Sequence, residues 1–222
     1  MPRVLETEVM NEPLQVDAYS EFDKTPIINI YLSKLNLNSE GSVLDIGCGS
    51  GDYFPSLTTA YPNVLFTGID ASINMLEKAK SKITANVTLE NRNIPDLTIT
   101  QKYDGIISSM LLHQLAEPSV LWDTVKQVGK EGTKVLIMDM VRVEDLETRT
   151  AILNEYAPSD KFKQFRIDFY YTGDSKTIEN TNYINIYNNN ASGRKYDTII
   201  INRFINILEY NFINNCHNII IW

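Results

Sequence analysis

Asp45 and the glycines that follow it at alternate positions, Gly47, Gly49 and Gly51, are the residues of this chain best placed to do chemistry. They stand in the run Val43-Leu44-Asp45-Ile46-Gly47-Cys48-Gly49-Ser50-Gly51-Asp52, where an apolar strand stub gives way to a helical pattern. A strand, a glycine turn and a helix N-terminus make a place where backbone comes close to a ligand, because glycine has no Cβ to block the approach. Asp45 selects the ligand class. A carboxylate in the mouth of such a loop repels a pyrophosphate and attracts an ammonium or sulfonium cation. A nicotinamide dinucleotide fits less well, since its loop is spaced Gly-x-Gly-x-x-Gly and Gly51 arrives one residue early. The pattern points to S-adenosylmethionine (SAM), a sulfonium nucleoside.

Further candidates sit at the carboxyl ends of expected strands, where open α/β sheets bind ligands. Asp70 ends the second strand, in Phe66-Thr67-Gly68-Ile69-Asp70-Ala71-Ser72. It can accept both hydroxyls of a ribose, or instead cap the helix that begins near Ser72. Ala71 adjoins it. Met75, one turn on, packs either on an adenine face or in the core. Asn93 is expected to hydrogen-bond the exocyclic amine of adenine while the Ile94 N–H reads a ring nitrogen; an ordinary loop before Pro95 is the competing reading. Ser108 and Ser109 can offer backbone carbonyls to the methionine end of the ligand. His113 follows them, one of two histidines with His217. No metal site is expected, for want of partners at ligand spacing. An imidazole with an ordinary pKa of about 6.5 suits a general base at neutral pH, and a structural role competes with that.

These groups need a scaffold, and hydropathy patterning supplies one. Short apolar runs at residues 42–46, 64–69, 87–91, 103–108 and 133–140 read as buried parallel strands. Helical patterns at 52–61, 72–83 and 118–128 alternate with them, Gly132 marking the stop of the last. Another apolar-periodic segment opens at Pro26, and a further helix is expected at 143–156. Strict alternation specifies an α/β fold, a Rossmann-like doubly wound and mainly parallel sheet with helices on both faces. Three parts are expected: residues 1–40 as N-terminal lid helices, 41–170 as the SAM-binding core, and 171–222 as a low-complexity tail rich in Asn and Ile. The Ile and Tyr of that tail favour β structure.

Composition narrows the function. The 222 residues fit one domain. A net charge of −8 argues against a phosphate-binding face and so against nucleic acid. Cys48 and Cys216 are the only cysteines and imply no disulfide framework. There is no apolar stretch long enough to span a bilayer, and the N-terminus is too polar for a signal peptide. A cytoplasmic protein acting on a small molecule is the expectation.

Taken together, these segments resemble the class I SAM-dependent methyltransferase superfamily. Asp45-Ile46-Gly47-Cys48-Gly49-Ser50-Gly51 looks like its first motif, Gly68-Ile69-Asp70-Ala71-Ser72 its second, and Tyr103-Asp104 through His113 its fourth. The match covers about residues 40–140. Glu6 to Met10, Tyr19 to Asp23, Leu121-Trp122 and Met138-Asp139-Met140 look like a bacterial subfamily of stand-alone methyltransferases. The resemblance implies methyl transfer to an O or N atom of a small-molecule acceptor, with Tyr19 as a lid residue; Asp23 or Tyr19 could approach as base from the lid. The chain departs from the pattern at Val141-Arg142-Val143, where an Arg-Pro pair is usual. Beyond Asp168-Phe169-Tyr170 the family's closing helix and antiparallel strand pair are not recognisable, which would leave a sheet edge exposed. The tail reads as a divergent substitute or as the product of a shifted reading frame. A SAM-binding protein without turnover is the alternative function.

Overall fold

The computed structural model describes residues 9–20, 23–96, 98–117, 119–139 and 197–202. Two helices lead, α1 (Pro13–Ser20) and α2 (Thr25–Lys34). Strands and helices then alternate: β1 (Gly41–Ile46), α3 (Phe54–Ala60), β2 (Val64–Asp70), α4 (Ile73–Lys80) and β3 (Val87–Asn91). After these come β4 (Tyr103–Ser109), a single 3-10 turn (Leu112–Gln114), α5 (Ser119–Val128), β5 (Gly129–Asp139) and β6 (Asp197–Asn202). Local chemistry fixes the helix starts. Prolines open α2 and α3, where a missing N–H costs nothing. Ser72 caps α4, its hydroxyl accepting from the Met75 N–H at 3.1 Å.

All strand pairs are parallel, in the order β3-β2-β1-β4-β5-β6. The chain winds outward from β1 to β3 and then crosses back to β4. That reversal between β1 and β4 opens a crevice at their carboxyl ends, the place where such sheets hold ligands. Successive strand residues point to opposite faces, so the sheet carries two cores. Val43, Ile107 and Leu136 pack with Tyr31, Phe54, Leu57 and Leu76 from α2, α3 and α4. Leu44, Ile106, Val135 and Ile137 pack with Leu121, Trp122 and Val125 of α5. Each fully buried side chain of this kind contributes about 1.5–3 kcal/mol, which holds the strand ends rigid beneath the crevice.

The five strands expected between residues 42 and 140 are present. Gly132 does not stop α5, which ends at Val128; Gly129 already pairs with Tyr103. Gly132 sits instead in a bulge of β5, between Gly129 opposite Tyr103 and Lys134 opposite Gly105. Thr133 Oγ1 stitches that bulge, accepting from the Lys130 N–H at 2.8 Å and donating to the Tyr103 carbonyl at 2.7 Å. The outer edge of β5 is covered by β6, in register from Lys134 opposite Asp197 to Asp139 opposite Asn202. The Ile199-Ile200-Ile201 run of the tail therefore joins the sheet, and does so parallel rather than antiparallel. The helix expected at 143–156, Val141-Arg142-Val143, Asp168-Phe169-Tyr170, Cys216 and His217 lie outside the described residues. No described helix is long and apolar enough to cross a membrane.

Candidate functional site

The crevice has a volume of about 250 Å³ and brings together Tyr19, Gly47, Gly49, Asp70, Ala71, Met75, Asn93, Ile94 and Ser109 from the sequence-predicted set. Asp70 organises it. Its Oδ2 accepts from the Gly49 N–H at 2.8 Å and its Oδ1 from the Ser72 N–H at 2.7 Å. One carboxylate thus ties the glycine loop to the start of α4, while Ser72 does the helix capping. Each oxygen keeps further acceptor capacity, as an ionised carboxyl has about four lone-pair sites. Burial pushes the Asp70 carboxyl above its ordinary range, and the two N–H donors partly offset that.

The loop glycines divide their work. Gly49 has φ +53°, and a Cβ there would meet Tyr19 Cε1 at 3.6 Å, an ordinary contact on the crevice side. Gly51 has φ +70° and lies away from the lining, against α4: a Cβ there would stand 2.8 Å from Ala79 Cβ and 3.2 Å from Ala79 Cα. Asp45 is also not in the loop mouth. It shares the sheet face of Val43 and lies behind the wall, 1% exposed, with no hydrogen-bond partner for either carboxylate oxygen. Burial first and the Asp70 charge second push its carboxyl well above the usual range.

Three further expectations are reshaped. The Ile94 N–H donates to Asn93 Oδ1 at 3.0 Å, so the two groups expected to read adenine are engaged with each other. The Tyr19 phenol is pushed up by burial and by the charges of Asp52, Asp70 and Asp45, which keeps it protonated and unsuited to act as a base. His113 stands in the 3-10 turn between the lining residues Leu111 and Gln114; its side chain lies outside the described ones.

Sequence reasoning missed several lining residues. Met110 holds φ +58°, an uncommon value for a non-glycine residue and one that clusters at functional sites. Gln114 Nε2 donates to the Met110 carbonyl at 3.1 Å and supports that turn. Arg92 also lines the crevice, but its guanidinium is committed to Glu90 and Asp96, each at 2.5 Å. The signal for Met110 and Gln114 was their place directly after a strand end. Val9 and Met10 complete the lining from the segment before α1.

That N-terminal segment is seated at both ends. Asn11 Oδ1 accepts from Ser72 Oγ at 3.0 Å, Asn74 Nδ2 donates to the Asn11 carbonyl at 2.6 Å, and Asp17 pairs with Lys78. At the other end Lys24, only 6% exposed, donates to the Tyr19 carbonyl at 2.6 Å and lies 4.1 Å from the Tyr19 ring centroid. Its ammonium is 3.9 Å from Asp52, which also pairs with Lys82.

With Asp70 on its rim, Asp45 behind its wall and Arg92 neutralised, the site is built for a ligand that carries positive charge beside hydroxyl donors. A sulfonium nucleoside fits: the orphaned carboxylate supplies counter-charge, and the backbone at Gly49 is open to close approach. Among the described residues no group of three or more His, Cys, Asp or Glu could hold a metal ion. Asp45 and Asp70 also set a pH response. Folding raises both carboxyls above their unfolded value of about 4, so their contribution is fully favourable only below that value and is lost as pH climbs through the folded range. The ligand-free protein is expected to melt at a lower temperature at about pH 8 than at about pH 5.5, and Asp45→Asn to flatten that slope. Thermal melts across that range check both.

Residues 37–201 match the family model described as a methyltransferase domain, a match that runs into β6. Malonyl-[acyl-carrier protein] O-methyltransferase of Priestia megaterium is 32% identical over 133 residues, covering 58% of this chain and 47% of that protein. Ribosomal RNA small subunit methyltransferase C of Buchnera aphidicola is 35% identical over 98 residues, covering 43% of this chain and 29% of that protein. The chain spans about half the length of the curated relatives it matches, or less. Among solved structures, the plantazolicin methyltransferase BpumL in complex with a pentazolic desmethylPZN analog and SAH shares the fold, with a TM-score of 0.60 and 18% identity. That likeness covers 79% of this chain and 68% of the other.

Proposed function

Because this chain belongs to the methyltransferase domain family, we propose that it transfers a methyl group from SAM to an O or N atom of a small-molecule acceptor. The arrangement of Asp70, the glycine loop and the orphaned Asp45 carries this reading, since together they suit a ribose, a closely approached nucleoside and a cation. When bound, the cofactor supplies a methyl group made electrophilic by its sulfonium, and the transfer is an in-line displacement. The protein's part is alignment and exclusion of water. Asp70 would hold the nucleoside hydroxyls, the backbone at Gly47 and Gly49 would allow its close approach, and Tyr19 lines the crevice from α1. His113, at the exit of β4, is the proposed base: its imidazole would take the proton that the acceptor's O–H or N–H gives up on methylation.

The net charge of −8 and the neutralised Arg92 support a small acceptor over a nucleic acid. The test is methyl-labelled SAM with a panel of phenols, amines, carboxylic acids, an acyl-carrier protein bearing an acyl group, and ribosomal RNA. Label in a small molecule is the expected result. Label confined to the carrier protein or the RNA overturns the acceptor class. Cofactor binding with no transfer anywhere favours the reading without turnover, which the atypical Asn/Ile tail motivates, and no binding by the folded protein overturns both. With an acceptor in hand, His113→Ala is expected to lower kcat roughly 10²-fold or more near neutral pH and to remove the acidic limb of the pH–rate profile. Unchanged turnover removes His113 as base.

A further inference from the structure

Lys24, the residue before α2, is 6% exposed. Lysine is almost never buried so deeply unless its ammonium is paired. Here the ammonium donates to the Tyr19 carbonyl at 2.6 Å and stands over the Tyr19 ring, 4.1 Å from its centroid. It also lies 3.9 Å from the Asp52 carboxylate. Capping the last turn of α1 accounts for the carbonyl contact only, since an exposed lysine would supply that hydrogen bond without desolvation. Stability does not account for the burial either, because desolvation offsets the attraction within a buried ion pair. What the burial achieves is a fixed ring. A cation within about 6 Å of an aromatic face is attracted to it, and more strongly when dry. The Cε1 edge of that ring faces the glycine loop, 3.6 Å from where a Gly49 Cβ would stand, and Tyr19 lines the crevice. Asp52 follows Gly51 directly, accepts from the Ser50 hydroxyl at 2.6 Å and pairs also with Lys82 beyond α4.

We propose that Lys24 is a positioning residue of the cofactor site: its ammonium holds the Tyr19 ring against the Gly49 side of the crevice, and Asp52 ties that ammonium to the glycine loop. The proposal rests on the cofactor reading above and adds to it a residue from outside the crevice lining. Lys24 acts on the ligand through Tyr19 alone. With the ring removed, the ammonium keeps its hydrogen bond to the backbone carbonyl but has nothing left to position.

A double-mutant cycle on the full chain provides the test, with S-adenosylhomocysteine affinity read by titration calorimetry for wild type, Lys24→Met, Tyr19→Ala and the double variant. Methionine keeps the apolar stem and removes the charge. Each single variant is expected to weaken the ligand roughly tenfold, and the double variant to stay within about threefold of Tyr19→Ala alone. Losses that multiply, to roughly a hundredfold, put the action of Lys24 somewhere other than Tyr19 and overturn the proposal while leaving the cofactor reading intact. A Lys24→Met protein that melts lower but binds as wild type does the same, since that is the behaviour of a purely structural lysine. So does Tyr19→Ala with wild-type affinity. Where Lys24→Met does not fold, Lys24→Gln keeps an N–H donor without the charge and completes the cycle under the same criteria. Folded wild type that binds no S-adenosylhomocysteine overturns the cofactor reading, and the positioning role with it.

Discussion

Asp70→Ala is expected to reduce affinity for S-adenosylhomocysteine at least a hundredfold, and Asp70→Asn to recover little of it. In the proposed role Asp70 has two tasks that fail together. It offers a ligand its acceptors, and it holds the Gly49 and Ser72 N–H groups at 2.8 and 2.7 Å, which sets the shape of the loop before any ligand arrives. A hydrogen bond to a charged group is worth about 1.5–3 kcal/mol, and about 1.4 kcal/mol is tenfold in affinity. Losing both the loop clamp and the ribose acceptor therefore passes two decades. The amide is no substitute. Both Asp70 oxygens accept from backbone N–H groups, whereas Asn has one acceptor and would turn an NH₂ toward the other N–H. Calorimetry on folded variants measures this, and an Asp70→Ala affinity within threefold of wild type rejects it.

The second large effect is on stability. Gly51→Ala is expected to cost about 2–4 kcal/mol and to lower Tm by roughly 5–15 °C, because the residue must keep a left-handed φ while its Cβ overlaps a neighbour. The clash is with Ala79 Cβ at 2.8 Å and Ala79 Cα at 3.2 Å, with Phe54 Cδ2 at 3.3 Å on the other side. None of these is the end of a flexible side chain, so the loop or α4 must move. Gly49→Ala is the control. It carries the backbone strain of about 1–2 kcal/mol but no overlap, its nearest neighbour being Tyr19 Cε1 at 3.6 Å. The two variants should separate in thermal melts, with Gly51→Ala clearly the lower; equal Tm values sink the distinction.

That distinction was not legible in the sequence, where Gly49 and Gly51 are two beats of one motif. Space around a Cβ is a property of what α4 brings alongside. The strands were legible because a parallel strand is covered on both faces and reads as a nearly unbroken apolar run, as in Val64 to Ile69. The first helix carried little signal, since Val16 is its one side chain in the described core. Asp45 was expected as a ligand group in the loop mouth, and it lies 1% exposed behind the wall. Alternation along β1 put it with Val43, under α2 and α3, and that much was readable from the strand period. The Asn93–Ile94 bond shows the remaining limit: a side chain that can reach its own backbone competes with any ligand expected there.

The seating of α1 has a mechanical consequence. Its outer attachment, the Asp17–Lys78 pair, is 58% and 37% exposed, where such pairs contribute about 0–1 kcal/mol and are screened within a Debye length of about 8 Å at physiological salt. The inner attachment at Lys24 is shielded from water and from ions, and it grips the Tyr19 backbone and ring at once. Ionic strength therefore acts on the Asp17–Lys78 pair while sparing both the Lys24 grip on Tyr19 and the uncharged bonds from Asn11 to Ser72 and Asn74.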